Sequence, residues 1–180
     1  MEEMFCFQCQ QTAHNTGCEG NAGVCGKKSD TANFQDELTG ALIGLSRAVH
    51  CAGATKLSDE LMMKGLFTTI TNVNFYNKTV NELTAQIRAE KDKIAKGTED
   101  YDVQKIWEDN EDIRSLKSLI LFGLRGMAAY AYHAFVLGFT DKAVTSFFYE
   151  GMYAIGEDYS MEQLLPIVLK TGEANYKCME

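Results

Sequence analysis

From residue 34 onward, apolar positions return at steps of three and four, the spacing of helices that bury one face. Phe34, Leu38, Ala41, Leu42, Leu45, Ala48 and Ala52 draw the first stripe, on a helix that Ser29, Asp30 or Thr31 can cap. A second helix begins near Ser58 and presents Leu61, Leu66, Thr69, Ile70 and Val73. The third uses Val80, Leu83, Ile87 and Ile94 and stops at Gly97, a residue suited to the left-handed position past a helix end. Residues 98–110 then break the rhythm with five acidic residues and the single tryptophan; they read as a connector in which Trp107 covers a core edge. The longest and most apolar helix follows over 111–137, with Gly138 ending it. Thr140 can cap a fifth, which buries Val144, Phe147, Phe148, Met152 and Ile155. Ser160 to Gln163 has the S-x-x-Q form of a capping box for a sixth. Pro166 suits that helix poorly, because proline removes an i to i-4 bond, so a kink or a later start is expected. No sustained period-two alternation suggests strands, and the expected fold class is all-α.

The halves resemble each other at an offset of 82 residues, which brings Leu42 onto Leu124, Gly44 onto Gly126, Leu45 onto Met127 and Asp59 onto Asp141. The pattern suggests two three-helix units, at 29–97 and 111–180, joined by the connector 98–110 and preceded by the segment 1–28, all in one domain. Gly40, Gly44, Gly123 and Gly126 lie within helices, where glycine costs about 1 kcal/mol and persists when a larger side chain would collide with a neighbour. Close backbone approach is expected at each.

The segment before the helices has no such stripe and carries the candidate chemistry. Four of the six cysteines, Cys6, Cys9, Cys18 and Cys25, stand there with the spacing C-x2-C-x8-C-x6-C. The acidic start, Met1-Glu2-Glu3-Met4, lacks the basic segment and apolar stretch of a secretory signal, so cytoplasm is the expected compartment. In a reducing compartment clustered cysteines serve as metal ligands or catalytic thiols more often than as disulfides. Structural zinc sites usually present two short knuckles, and only Cys6 and Cys9 form one. An iron-sulfur cluster tolerates wider and unequal spacings, since each thiolate meets a different corner of a larger object. Gly17, Gly20, Gly23 and Gly26 lie among the ligands, where backbone can fold closely around a cofactor. The spacing favours iron-sulfur over zinc and leaves both open. A net charge of -8 repels phosphate backbones and argues against nucleic acid, and no window approaches the roughly 18 uninterrupted apolar residues of a membrane span.

"MFCFQCQQTAHNTGC", "GVCGK", "TANFQDELTGALIGL" and "GLFTTITNVNF" resemble the N-terminal region of the hybrid cluster protein family, also called prismane proteins or hydroxylamine reductases. "NEDIRSLKSLILFGLRGMAAYAYHAFVLGF" and "LKTGEANYK" are similar to later parts of the same domain. The resemblance implies that Cys6, Cys9, Cys18 and Cys25 hold a cubane 4Fe-4S cluster, with a 2Fe-2S-type cluster as the alternative and zinc behind both. It also implies a first domain of two three-helix bundles. The x8 and x6 gaps mix the spacings of the family's two subgroups. The catalytic hybrid cluster of such proteins lies in later domains, so the resemblance implies an electron-transfer domain served by a reductase or ferredoxin-like donor. The alternative is a helical scaffold with a structural metal.

Other reactive residues carry less. His14 reads as a solvated loop residue. His50 and Cys51 are helical neighbours about 100° apart and cannot face one another, and His133 and Cys178 read as boundary or packing residues. The last helix holds Leu164, Leu165, Ile167, Val168, Leu169 and Cys178, more apolar surface than one core stripe uses. An interface is expected there, with the later domains or as a homodimer.

Overall fold

The structure, a computed structural model, describes residues 3–9, 11–70 and 75–180; Val73 lies outside them. Among the described residues the chain forms helices α1 (Ser29–Ala52), α2 (Lys56–Thr68), α3 (Asn77–Ile94), α4 (Gln104–Glu108), α5 (Glu111–Val136), α6 (Lys142–Gly156) and α7 (Met161–Met179). Helix dominates, as the stripes predict. The cysteine segment adds what they do not: β1 (Met4–Cys6) pairs antiparallel with β2 (Cys18–Gly20), placing Cys6 opposite Cys18. Strands of three residues are too short for alternation to register in sequence.

Helix starts differ from the expected caps in an instructive way. Lys28, in extended conformation, precedes α1 without a side-chain cap, and Ser29, Asp30 and Thr31 lie in the first turn. Asp30 and Thr31 instead bond to Asn77 at the start of α3, at 3.0 and 2.7 Å. Thr55 caps α2 in a reciprocal box with Ser58, so the helix starts two residues before Ser58, and Thr69 and Ile70 follow its end. Asp141, not Thr140, caps α6, accepting from the N–H groups of Ala143 and Val144. A carboxylate answers the helix dipole better than a hydroxyl does. Ser160 and Gln163 form the expected box, and α7 runs on through Pro166. In the connector, α4 interrupts the irregular chain and Asn110 caps α5.

Among the described residues the main apolar core joins Leu38, Leu42 and Leu45 of α1 to Leu124 and Met127 of α5 and Phe148 and Met152 of α6, and a smaller cluster of Met4, Cys18 and Ala32 lies under the cysteine segment. Helix α1 packs mainly on α3 and α6, and α5 mainly on α7, with α2 set between α3 and α5. Among the described residues α5 alone is long and apolar enough to cross a membrane, with a mean hydropathy of 1.3 over its most apolar window. Its Ile120, Leu121, Leu124 and Met127 are spent inside this core.

The helical glycines mark the tightest contacts. A Cβ on Gly40 would strike the carbonyl oxygen of Tyr101, whose own N–H donates to the Gly40 carbonyl at 3.1 Å. The connector therefore lies directly on α1, and Gly44 accommodates Glu99 the same way. Gly123 receives the Thr171 methyl of α7, whereas Gly126 has only ordinary contact. Two further sites form a pair: Gly65 lies under the Leu42 methyls and Gly151 under those of Leu124, each at 2.8 Å from a notional Cβ.

Gly40→Ala should therefore destabilise the fold by about 1–3 kcal/mol, because the connector backbone has to move. Gly172→Ala, inside α7 with open space around it, should stabilise by up to about 1 kcal/mol through helix propensity. Urea unfolding midpoints separate the two. A wild-type midpoint for Gly40→Ala would mean that the connector does not rest on α1.

Candidate metal centre

Three pieces of backbone bring the cysteines together. The β1–β2 pair sets Cys6 against Cys18, and Cys9 follows β1 in a turn whose carbonyl accepts from the Thr12 N–H at 3.3 Å. Thr12 in turn accepts the Gly17 N–H at 2.7 Å, which fixes the excursion between the strands. Gly17 has φ +113 and lies against the Phe5 ring, so no other residue fits there without displacing it. Cys25 sits in a tight turn, where Gly26 N–H donates to the Gly23 carbonyl at 2.9 Å. The Gly23 N–H donates to Lys27 at 2.8 Å, and an isolated bridge joins Ala22 to Lys28 at the mouth of α1.

All four thiols are free and line one small cavity, together with Met4, Gln8, Thr12, Gly23 and Lys27. Cys18 is buried and the other three are half-buried. Gly23 lies beside two of the thiols, a notional Cβ there being 3.6 Å from the Cys25 sulfur and 3.7 Å from that of Cys18. Among the described residues no three His, Cys, Asp or Glu side chains gather at one point as ligands of a single ion. The donor set is one of soft sulfurs, which suits iron-sulfur clusters and zinc.

Behind this cavity lies a polar layer that the stripe pattern does not reveal. Lys27 is buried to 1% exposure, and its ammonium donates to the Gln8 Oε1 at 3.0 Å and to the Gln35 Oε1. Gln8 also donates to Asp36 at 3.5 Å. From the other half of the chain, the buried Arg125 of α5 donates to Thr69 at 3.0 Å and Thr39 at 3.3 Å. Burial lowers the Arg125 guanidinium to about 10, against the pull of Asp36 and Cys6, and it stays charged at neutral pH. Burial pushes the Asp36 carboxyl up to about 6, opposed by Arg125 and Lys27. The Cys6 thiol is pushed up by burial and drawn down chiefly by Lys27. Lys27 escapes a sequence reading because a lysine after a cysteine loop looks solvated; Arg125 is the one charged residue between Ser118 and Tyr132, and its isolation in that apolar stretch is legible in the sequence.

On the outer side, Trp107 meets Phe5 and Phe7 edge-on, with ring centroids 5.3 and 5.7 Å apart, and Phe7 also meets Phe122. The connector thus covers the cysteine hairpin, and Trp107 lies at a core edge as its setting predicts. The remaining candidates stand apart. His14 is exposed, His50 stacks on Tyr153 at 4.2 Å, Cys51 is exposed, His133 meets Phe67 edge-on and Cys178 donates to the Met127 carbonyl at 3.7 Å.

The chain is 39% identical to a hydroxylamine reductase of Solidesulfovibrio magneticus, over 98% of its own length and 38% of that protein's. It is 37% identical to one of Desulfitobacterium hafniense and 33% identical to one of Nitratidesulfovibrio vulgaris, over 94% of its length in each case. It spans little more than a third of these relatives, 37–38% of their length. Residues 4–180 match the Prismane/CO dehydrogenase family, so the whole of the cysteine segment and the helical body falls inside the match, and the chain belongs to that family.

Proposed function

We propose that the chain is the iron-sulfur electron-transfer domain of a hydroxylamine reductase, a cytoplasmic protein, with Cys6, Cys9, Cys18 and Cys25 as the cluster ligands. The observation that carries this is the lining of one cavity by four free thiols from three pieces of backbone, in a chain of this family. A 4Fe-4S cluster held there, or a 2Fe-2S-type one, would take up and release one electron at a time. The chain's own part is to bind, shield and bias it. Cysteine ligates as the thiolate, so binding releases protons, and the positive field of Lys27 favours that form at Cys6. Phe5, Phe7 and Trp107 pack over the hairpin and limit water on that side. A reductase or ferredoxin-like protein is the proposed donor, and the acceptor is a catalytic centre in the part of the relatives that this match does not span.

The same reading extends to the architecture as two three-helix units related by duplication. The Leu42–Gly65 contact between α1 and α2 has a counterpart in the Leu124–Gly151 contact between α5 and α6, which supports it. Helices α1 and α5 start 82 residues apart, but α2 and α6 start 86 apart. Asp59, one turn into α2, is therefore not the partner of Asp141; the cap Thr55 is.

An interface on α7 belongs to the proposal as well. Leu165 and Leu169 are 49% and 66% exposed, and Tyr176 and Met179 continue the outward face. A contiguous apolar face of this kind is a common interaction surface. In longer relatives it would meet later domains; in this chain a two-fold contact with a second copy would cover it.

Three outcomes are expected. Cys9→Ser should remove iron and acid-labile sulfide from anaerobically purified, brown protein and leave its helical circular dichroism unchanged, while Cys51→Ser alters neither. A colourless wild-type protein with stoichiometric zinc would instead establish the structural-metal reading. The loaded chain with a strong reductant should produce no ammonia from hydroxylamine above free cluster, and turnover that tracks protein concentration would refute the division of labour. Light scattering over a concentration series should show association above the monomer mass of 20.1 kDa, abolished by Leu165→Glu with Leu169→Glu. A constant monomer mass in the wild type would remove the dimer.

A further inference from the structure

Lys27 is buried at the back of the cysteine cavity, the buried Arg125 joins the same polar layer through Thr39, which bonds to Gln35, and the charge that would balance the two cations is incomplete. Lys27 lines the cavity itself, yet its hydrogen-bond partners are the neutral amide oxygens of Gln8 and Gln35. Arg125 is likewise matched by the neutral hydroxyls of Thr69 and Thr39. The acidic group shared by this layer is Asp36, linked to Lys27 only through Gln8. Among the described residues no salt bridge joins Lys27 or Arg125 to any carboxylate, whereas Lys91 and Lys117, also buried, each have one. A buried charge without an opposite charge is strongly unfavourable, so a site that keeps two cations against one carboxylate is built for a further anion. The thiolates on the other side of Lys27 are that anion.

Resting on the iron-sulfur reading above, we infer that Lys27 and Arg125 are the built-in counter-charges of the cluster. They are positioning residues that ease its reduction, and Lys27 also fastens the cysteine segment to α1. The direction follows from charge. Reduction adds an electron to an already anionic assembly, and nearby buried cations stabilise the reduced form more than the oxidised one, with little screening by solvent. Neutral replacements should therefore lower the potential, and replacements that keep the charge should not. A purely structural role for the same residues would change stability and cluster retention without ordering the potentials by charge. Arg125 comes from helix α5, away from the cysteines in sequence, and reaches the layer through Thr39, whose hydroxyl donates to the Gln35 carbonyl at 2.8 Å.

The test is an anaerobic redox titration of the loaded chain, followed by electron paramagnetic resonance, for wild type, Lys27→Met, Lys27→Arg, Arg125→Met and Arg125→Lys. The methionine variants should shift the reduction equilibrium about tenfold toward the oxidised cluster, ~59 mV for a one-electron couple, and the charge-keeping variants should stay near wild type. If Lys27→Met does not retain its cluster, Arg125→Met decides. Potentials unchanged in loaded methionine variants, or shifted equally by the charge-keeping ones, would overturn the inference and leave the electron-transfer reading standing. A wild-type chain that takes up no iron and sulfide would remove both.

Discussion

An ammonium group closed off from water must find its hydrogen-bond partners within the protein, and Lys27 finds them on two different parts of the chain. Gln8 comes from the stretch between Cys6 and Cys9, and Gln35 from the second turn of α1. One side chain thereby sets the distance between the cysteine segment and the helical body. The backbone around it is drawn in by the same constraint. The carbonyl of Lys27 accepts from Gly23, Lys28 bridges to Ala22, and Ser29 N–H donates to the Asn21 carbonyl at 3.1 Å as α1 begins. Cys25 is carried in the turn so formed. The placement of that thiol is then a consequence of how the lysine is enclosed.

The opposite wall of the segment is held by the connector, which depends on a different device. Glycine at 40 and 44 lets the stretch around Glu99 to Tyr101 lie on the α1 backbone. Asp100, fixed there, accepts from Arg88 at 2.6 Å and from Lys91 of α3. Seven residues later the same strip of chain presents Trp107 to Phe5 and Phe7. Missing side chains on one helix are thus transmitted into aromatic cover for a cysteine hairpin far away in sequence. This wall also draws on the apolar core, in which Val103 and Ile106 of the connector are buried.

What the sequence made legible was whatever repeats. Helices with stripes of apolar residues are found within a few positions, because each one reports its period many times over. The cysteine set is legible for a related reason, since four like donors in twenty residues are a pattern in themselves. Features decided by a single contact are not. Thr140 and Asp141 are both able to cap, and only the geometry of the turn selects the carboxylate. The strands of Met4–Cys6 and Cys18–Gly20 are set by one pairing register. Lys27 looks like any surface lysine until Gln8 and Gln35 are seen to close over it. Burial of a polar side chain is a property of the folded neighbourhood, and local composition does not encode it.

The two halves, on the proposed duplication, show where scaffold was turned into site. At the offset of 82, Leu124 answers Leu42, each against its glycine, so that contact is retained in both. One residue further on the correspondence fails: Arg125 stands where α1 has Ile43. Ile43 is fully buried and packs against Gly156. Its counterpart is also buried, but its guanidinium reaches back to Thr39 and Thr69 in the first half. Replacing a buried isoleucine by a buried arginine weakens a core unless the charge has a use. On the proposed reading, the second half would contribute to the site through the position where its helix departs from the repeat.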